Sequence, residues 1–544
     1  MATSRRFFKS FLALSTTGAG LYAYDTNTEA QLITRNIRTF SNGVGLALDY
    51  KLNFKPGDMS SMDAVHERVA NRIFDVCELN GGLFIKIGQV IGTQASVLPA
   101  QYQKRARRLF DSAPAVPYSV VERVFLEDFG VKPEQLFKEF DKNPVASASI
   151  AQVHKAVLHD DTIVAVKVQK PAIQKQMTSD LRAFRLLLML YERIFDLPMV
   201  WTFDYFEKHI RMEADFEREA QNSIKAWDNL QKESSLRDRV YVPKVYSEIG
   251  SKRIMVAEWV DGVQLTALDD LKEIGASPTE AMQITIEAFA SQIFKSGFVH
   301  GDPHPGNVLV RKHPKKKNEI QVVLIDHGLY IEESERFRQQ YCKLWEAMFL
   351  LDVKALDEIC KQWGVNDSNM FASVTLQKPY MPSKAPHLSN NQVSFQDAYE
   401  MQMSMKSRIK HFLADQQLFP RELIFVSRNM NIVRANNKSM GSPVNRINVM
   451  ARWAVHGMDR KDEAKGVRGY LRSTWRVILF ESTLFAMTLS FYIVKFRDVA
   501  NKLFWGTTNQ GGFEGLLDER MKEQVSGGVP QNIALKNIGL KILV

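Results

Sequence analysis

Apolar and polar residues alternate along 149–158 and again along 162–169, on either side of the turn His159-Asp160-Asp161. Period-two alternation predicts two strands joined as a hairpin. Ile150, Val153 and Val157 are expected to face Ile163, Val164, Val166 and Val168. The period then lengthens to that of a helix over 172–196, and a charged helix is predicted over 203–232. Strands are expected near 240–247 and 253–259, closed by the turn Asp261-Gly262. An apolar helix from 278 to 296 leads into the Asp302 loop, followed by Val308-Leu309-Val310, a basic turn and an apolar strand ending at Asp326. Beyond Asp326 the pattern is mainly helical to about 460, with a polar loop at 365–397. Residues 40–140, ahead of the hairpin, read as helical, punctuated by Pro99, Pro114 and Pro117. The order is a helical leader, a small β-rich lobe, a connector and a helical lobe, with no internal repeat.

Both ends carry a different pattern. Residues 1–24 contain Arg5, Arg6 and Lys9 but no acid before position 25, and Phe7, Phe8, Phe11 and Leu12 fall at helical spacing. That composition fits a mitochondrial presequence. The run 477–494, bracketed by Arg476 and Lys495, is just long enough to cross a bilayer. Glu481 inside it is costly in lipid. Two readings stay open: a membrane span, or an amphipathic helix packed on the helical lobe.

Charge and cysteine content narrow the class. The 544 residues carry a formal net charge of +10, which favours anionic partners. No long Lys/Arg tract or RNA-binding motif accompanies it, so nucleic acid is not an expected partner. Cys77, Cys342 and Cys360 include no Cys-x-x-Cys pair, which argues against structural zinc or a disulfide framework and for buried free thiols.

The chemistry lies in four residues on three spaced stretches. Val164-Ala165-Val166-Lys167 places a lysine on a strand. Far downstream comes His300-Gly301-Asp302-Pro303-His304-Pro305-Gly306-Asn307, and then Asp326-His327-Gly328 after an apolar strand. Phosphoryl transfer needs an Asp near the attacking hydroxyl, and an Asn and second Asp to hold Mg²⁺ against phosphates. Asp302, Asn307 and Asp326 supply that set in kinase order, with Lys167 as the phosphate-pairing lysine. A helix Glu to hold Lys167 is available in Glu213 or Glu219, and spacing does not choose between them. Pro303 and Pro305 exclude the helix that would bring His300 and His304 together on zinc. Two usual kinase parts are missing. The Gly-rich loop is replaced by Ala146-Ser147-Ala148-Ser149, and no Ala-Pro-Glu follows Asp326.

Together with Lys86-Ile87-Gly88-Gln89 and Glu213-Ala214-Asp215, these features resemble the UbiB family of atypical kinases, also called aarF-domain-containing kinases, over about residues 75–350. The two phrases match that family's Lys-x-Gly-Gln and Glu-x-Asp motifs. The resemblance implies an α+β, protein-kinase-like two-lobed fold with an N-terminal helical extension and a helical C-terminal region. The corresponding boundaries are a targeting segment at 1–40, the extension at 41–140, an N-lobe at 141–262, a C-lobe at 263–470 and a tail at 471–544. It implies ATP or ADP with Mg²⁺ as cofactors. Catalytic roles fall to Asp302, Lys167 and Glu219, and metal binding to Asn307 and Asp326. Nucleotide contacts fall to Ala146, Ser147, Ala148, Ser149, Lys167, Glu258 and Val260, and a regulatory role to Lys86, Gln89, Glu213 and Asp215. The Asp-His-Gly form, where Asp-Phe-Gly is usual, looks most like the mitochondrial member-one/member-five branch, associated with mitochondrial lipid and membrane homeostasis. The implied protein is a membrane-associated mitochondrial ATPase or phosphotransferase, with a mitochondrial membrane or lipid and unknown proteins as partners. The alternative is a non-catalytic nucleotide-binding scaffold that regulates mitochondrial membrane partners.

Overall fold

Val164, Val166 and Val168 alternate with Ala165 and Lys167, so one face of strand Ile163–Gln169 is apolar and the other carries the lysine. In the computed structural model of the chain this strand pairs antiparallel with Ala151–Val157 and with Ile254–Glu258. Glu139–Phe140 and Ala146–Ser147 add to the far side of Ala151–Val157. The model describes residues 20, 23–55, 59–93, 100–110, 114–196, 200–365, 367–378, 380, 419–459, 467–505 and 511–525. Arg5, Arg6, Phe7, Phe8, Lys9, Phe11 and Leu12 of the expected leader, and 381–397 of the expected polar loop, lie outside the described residues.

The buried side of this sheet is Ala156, Val164, Val166, Val168, Ile254 and Val256, packed on Val121, Val124 and Phe125 of helix Tyr118–Phe129 and on Phe137. The expected facing of the hairpin needs correction. Val153 stands opposite Lys167 and Val157 opposite Ile163, on the less buried face. The buried face instead takes Gln152, His154 and Ala156. Two polar residues can sit there because each is bonded. Val116 N donates to Gln152 Oε1 at 2.8 Å, Gln152 Nε2 donates to His154 Nε2 at 2.9 Å, and His154 Nδ1 donates to Asp141 O at 2.8 Å. Burial accordingly holds this imidazole below its usual pKa.

Helices Leu32–Asn53, Met59–Asn80 and Leu83–Thr93 form the N-terminal extension around Val65, Val69, Phe74, Cys77, Phe84 and Leu109. Gly88 of the Lys-x-Gly-Gln phrase is sterically required there. A Cβ on it would lie 2.2 Å from Leu109 Cδ1 and 3.0 Å from Cys77 Sγ. The buried pair Arg35–Asp180 joins the first helix to Ala172–Phe195. The single helix expected over 203–232 is two, Val200–Glu213 and Phe216–Lys232. The break falls at Ala214-Asp215, where Asp215 Oδ1 accepts from Arg218 N at 3.3 Å and caps the second helix.

The chain divides into two compact units, 1–220 with 244–259, and 221–243 with 260–544. In the second, strands run in the order Val240–Tyr241, Ile320–Leu324, Val308–Lys312, Val263–Gln264. Phe298–His300 pairs with Tyr330–Glu332. The strands Val240–Tyr241 and Ile254–Glu258 are shorter than expected, because residues 247–249 form a 3₁₀ turn between them. Helix Pro278–Ser291, capped by Ser277, is buried along most of its length and closes in a π turn, Gln292–Ser296. Helices Glu335–Leu350, Val353–Gln362, Ser368–Leu376, Glu422–Ser439, Arg446–Gly457, Val467–Trp505 and Gly512–Val525 complete this unit. Ser368–Leu376 falls within the stretch read as a polar loop; Asp367 starts it by accepting from Met370 N at 2.9 Å. All three cysteines are free and buried.

Candidate active site

Candidate chemistry falls into two sets of residues, one in each unit. In the first unit the sheet's alternation points Lys167 away from the valine core. Its ammonium donates to both carboxylate oxygens of Glu219, at 2.7 and 2.8 Å, and lies 5.0 Å from the centre of the Phe216 ring. Glu219 is almost wholly buried. Lys86 Nζ lies 2.6 Å from Glu213. The choice left open by spacing is thus resolved by the break at 214–215, with each glutamate taking a lysine of its own. Gln89 Nε2 donates to Leu109 O at 2.8 Å, which fixes the rest of the Lys-x-Gly-Gln phrase to the chain that follows it.

The Ala/Ser loop begins as a short strand, Ala146 opposite Val153 and Ser147 opposite Gln152, and Ala148 N donates to Ala151 O at 2.8 Å. Ser147 Oγ is buried without a partner, and Ser149 is buried. Glu258 lies opposite Val164 in the sheet and its carboxylate accepts from Lys244 N at 3.3 Å; Val260 follows, half-buried, at the start of the second unit. A residue that sequence reading missed holds the loop from below. Lys170 Nζ donates to Ala148 O at 2.7 Å and Pro114 O at 2.8 Å. Burial lowers its pKa to about 8. The unfolded chain then binds more protons between pH 8 and the ordinary value of 10.5, so this lysine makes stability rise with pH across that window. The stability of the wild type minus that of Lys170→Met is expected to climb by up to about 1.4 kcal/mol per pH unit there. Denaturant titrations in that range check it, and a flat difference counts against the buried ammonium.

Lys86→Ala should loosen the extension, since a charge-assisted bond of this kind contributes about 1.5–3 kcal/mol. Hydrogen exchange in Leu83–Thr93 reads this directly. Unchanged protection would show that the ion pair does not restrain that helix.

In the second unit, strand Phe298–His300 delivers a loop, the 3₁₀ turn Pro305–Asn307 and then strand Val308–Lys312. The loop is cross-bonded. His300, fully buried, accepts from Asp302 N at Nδ1 (2.9 Å) and donates from Nε2 to Asp326 O (2.7 Å). One nitrogen accepts and the other donates, which defines the neutral imidazole; burial likewise pushes its pKa down. His304 Nδ1 accepts from Gly306 N at 3.2 Å. Asn307 Nδ2 donates to Asp302 O at 3.0 Å, leaving its amide oxygen as the end that suits a cation. Asp326 Oδ1 accepts from Gly328 N at 3.0 Å. His327, where kinases usually have Phe, is buried. It accepts from Tyr330 OH, donates to Leu324 O, both at 3.0 Å, and stacks on the Tyr330 ring. Asn222 Nδ2 donates to its carbonyl at 2.9 Å.

Helix Glu422–Ser439 supplies three further contacts. Arg428 Nη2 lies 3.0 Å from Asp302 Oδ1, and both side chains are largely buried. Asn429 Nδ2 donates to His300 O at 2.7 Å and Asn436 Nδ2 to Pro303 O at 3.1 Å. Positions 429 and 436 are two turns apart, so one helix face holds the loop. The apolar periodicity of that region gave no sign of this role; polar residues at helix-face spacing were the available signal. Among the described residues no group of three His, Cys, Asp or Glu could hold a metal alone. A carboxylate and an amide oxygen suit Mg²⁺, which completes its shell with water and phosphate.

Residues 108–360 match the model of the ABC1 atypical kinase-like domain. The chain is 40% identical over 451 residues to an ABC1 family protein of Schizosaccharomyces pombe, covering 83% of this chain and 84% of that one. It is 31% identical over 412 residues to AarF domain-containing protein kinase 1 of Xenopus laevis, covering 75% and 78% respectively. Among solved structures it is similar to a Mycobacterium tuberculosis protein determined with erythromycin, at 20% identity and a TM-score of 0.40, over 67% of this chain and 98% of that one. The chain belongs to the ABC1, or UbiB/aarF, family of atypical kinase-like proteins, and its fold is the kinase-like α+β fold of that family.

Proposed function

We propose that this protein binds Mg²⁺ with ATP or ADP and acts as an atypical ATPase or phosphotransferase that supports mitochondrial lipid and membrane homeostasis. The observation that carries the proposal is the interlocked loop: Asp302, Asn307 and Asp326 bonded to one another through backbone and through a neutral His300. Such cross-bonding preorganises oxygen ligands, which is what phosphoryl chemistry asks of a protein. In this reading Asn307 and Asp326 hold Mg²⁺, which neutralises phosphate charge when bound. Lys167, steadied by Glu219, pairs the phosphates, and the Ala/Ser loop and Glu258 contact the nucleotide. Asp302 orients the attacking hydroxyl or water. The family's mitochondrial branch, the basic leader and the apolar helix near the C-terminus support the membrane part.

The non-catalytic scaffold is favoured by one observation. Arg428 already neutralises Asp302, a pairing that steadies the loop at the expense of an available base. The two readings separate in one experiment on the full chain. Mg²⁺–ATP binding and phosphate release are measured with and without phospholipid vesicles. Binding with turnover that Asp302→Asn removes supports the enzyme. Binding without turnover above that of Asp302→Asn supports the scaffold, and absence of binding rejects both.

A further inference from the structure

Helix Val467–Trp505 has two faces of opposite commitment. The inward face is fastened to the second unit. Phe480, Leu484 and Phe491 are buried, and the Phe480 ring packs on Phe349 at 5.8 Å. Asn448, itself buried, donates to Leu484 O at 2.9 Å and to Thr488 Oγ1 at 2.8 Å. Arg476 Nη2 lies 2.8 Å from the buried carboxylate of Glu346. The outward face repeats every three and four residues: Trp475, Ile478, Ser482, Phe485, Leu489, Tyr492, Phe496, all exposed. Phe485 is 71% and Phe496 77% exposed. Leu479, Ala486 and Ile493 widen this face; Thr474, Ser482 and the polar tips of Trp475 and Tyr492 interrupt it, and exposed Glu481 borders it. The stripe from Trp475 to Phe496 is about 32 Å long.

An 18-residue window within Thr474–Asp498 has a mean hydropathy of 1.8, enough for a span by composition, yet a span does not fit the fastening. Drawing this helix through a bilayer would strip Asn448 of two bonds and leave Glu346, deep in the unit, without Arg476. It would also carry Glu481 away from Arg452, 3.4 Å away on the neighbouring helix. A helix held along one side and apolar along the other satisfies both demands by lying flat. What covers the outer face is indicated by its border. Lys495 and Arg497 are exposed at its flanks, and Arg452 stands on the neighbouring helix. Trp475 near one end and Tyr492 near the other are side chains that favour the interfacial layer. With a formal net charge of +10, the complementary partner is an anionic lipid surface.

We infer that helix Val467–Trp505 is an in-plane membrane anchor: its 475–496 stripe lies in one leaflet of an anionic bilayer while its opposite face stays docked on the protein. This deepens the membrane part of the proposed function and rests on it. The test uses the full chain with single label sites Ile478→Cys, Phe485→Cys or Phe496→Cys, each carrying a polarity-sensitive dye. Burial raises the pKa of all three native thiols to about 12, so they stay unlabelled. Vesicles are phosphatidylcholine with or without phosphatidylserine.

An in-plane anchor gives a several-fold rise in emission at all three sites, equal shallow quenching depths, and dependence on phosphatidylserine. Phe485→Glu with Leu489→Glu should weaken partitioning roughly a hundredfold, with an unchanged unfolding midpoint because both positions are exposed. A depth gradient with Phe485 deepest and the ends shallow would overturn the in-plane geometry while leaving membrane association intact. Vesicle binding with all three dyes in water would overturn the anchor and leave the N-terminal segment to bind. No vesicle binding by the wild type would reject the membrane reading itself. Dye burial without lipid, together with a doubled sedimentation mass, would mean that a second copy covers the face, and would overturn the lipid assignment.

Discussion

Asp326→Asn is expected to abolish the Mg²⁺-dependent stabilisation of the protein by ATP or ADP. The substitution keeps the oxygen that accepts from Gly328 N, so the local turn survives. It removes the only carboxylate in the proposed Mg²⁺ pair, leaving an amide beside the Asn307 amide, and neutral ligands hold a small divalent cation poorly next to phosphate. At ligand a hundred times its dissociation constant, the stabilisation at stake is about 2.7 kcal/mol. Thermal unfolding with and without magnesium and nucleotide reads it. The same shift, with the same magnesium dependence, in Asp326→Asn would remove this residue from the metal site.

The second large effect concerns a residue chosen by the structure alone. Arg428→Met is expected to destabilise the protein by about 3 kcal/mol, the order of cost of removing one member of a buried ion pair. Here the group that loses the guanidinium is Asp302, whose side chain is only 15% exposed. Urea unfolding of Arg428→Met, Asp302→Asn and the double variant gives the coupling directly. The double variant should recover part of the loss, because no carboxylate is then left buried. A loss below about 0.5 kcal/mol for Arg428→Met, the level of a surface substitution, would show that Asp302 is solvated without it.

The elements that sequence reading placed well are those in which burial follows a single period. The valines of Ile163–Gln169 and the helix Ala172–Phe195 are of this kind. Reading failed where polar groups are buried in pairs. Gln152 and His154 occupy the core side of their strand because each satisfies the other, and hydrophobic alternation cannot register that. The long helix over 203–232 was split by a capping aspartate, Asp215, read in the sequence as part of a motif rather than as a helix start. In the candidate site, ordered spacing alone named Lys167, Asp302, Asn307 and Asp326. It offered Glu213 or Glu219 as the partner of Lys167, and the family resemblance chose Glu219, which the structure places on Lys167. Arg428, Asn429, Asn436 and Lys170 were not legible. Their contacts cross 22 to 133 residues of chain, and no local pattern encodes a partner at that distance.

The helix Glu422–Ser439 also bears on the order in which the chain can complete the loop proposed to hold Mg²⁺. The family match ends at residue 360, before Arg428, Asn429 and Asn436 are reached. A chain emerging from the ribosome would carry His300, Asp302 and Pro303 for more than a hundred residues of synthesis before the side chains that brace them appear. Released early, or cut at residue 360 by a protease, it would retain every residue by which a kinase is recognised. The 300–307 loop would lack its brace, and nucleotide affinity should be acquired only once residue 436 has been made and folded into place.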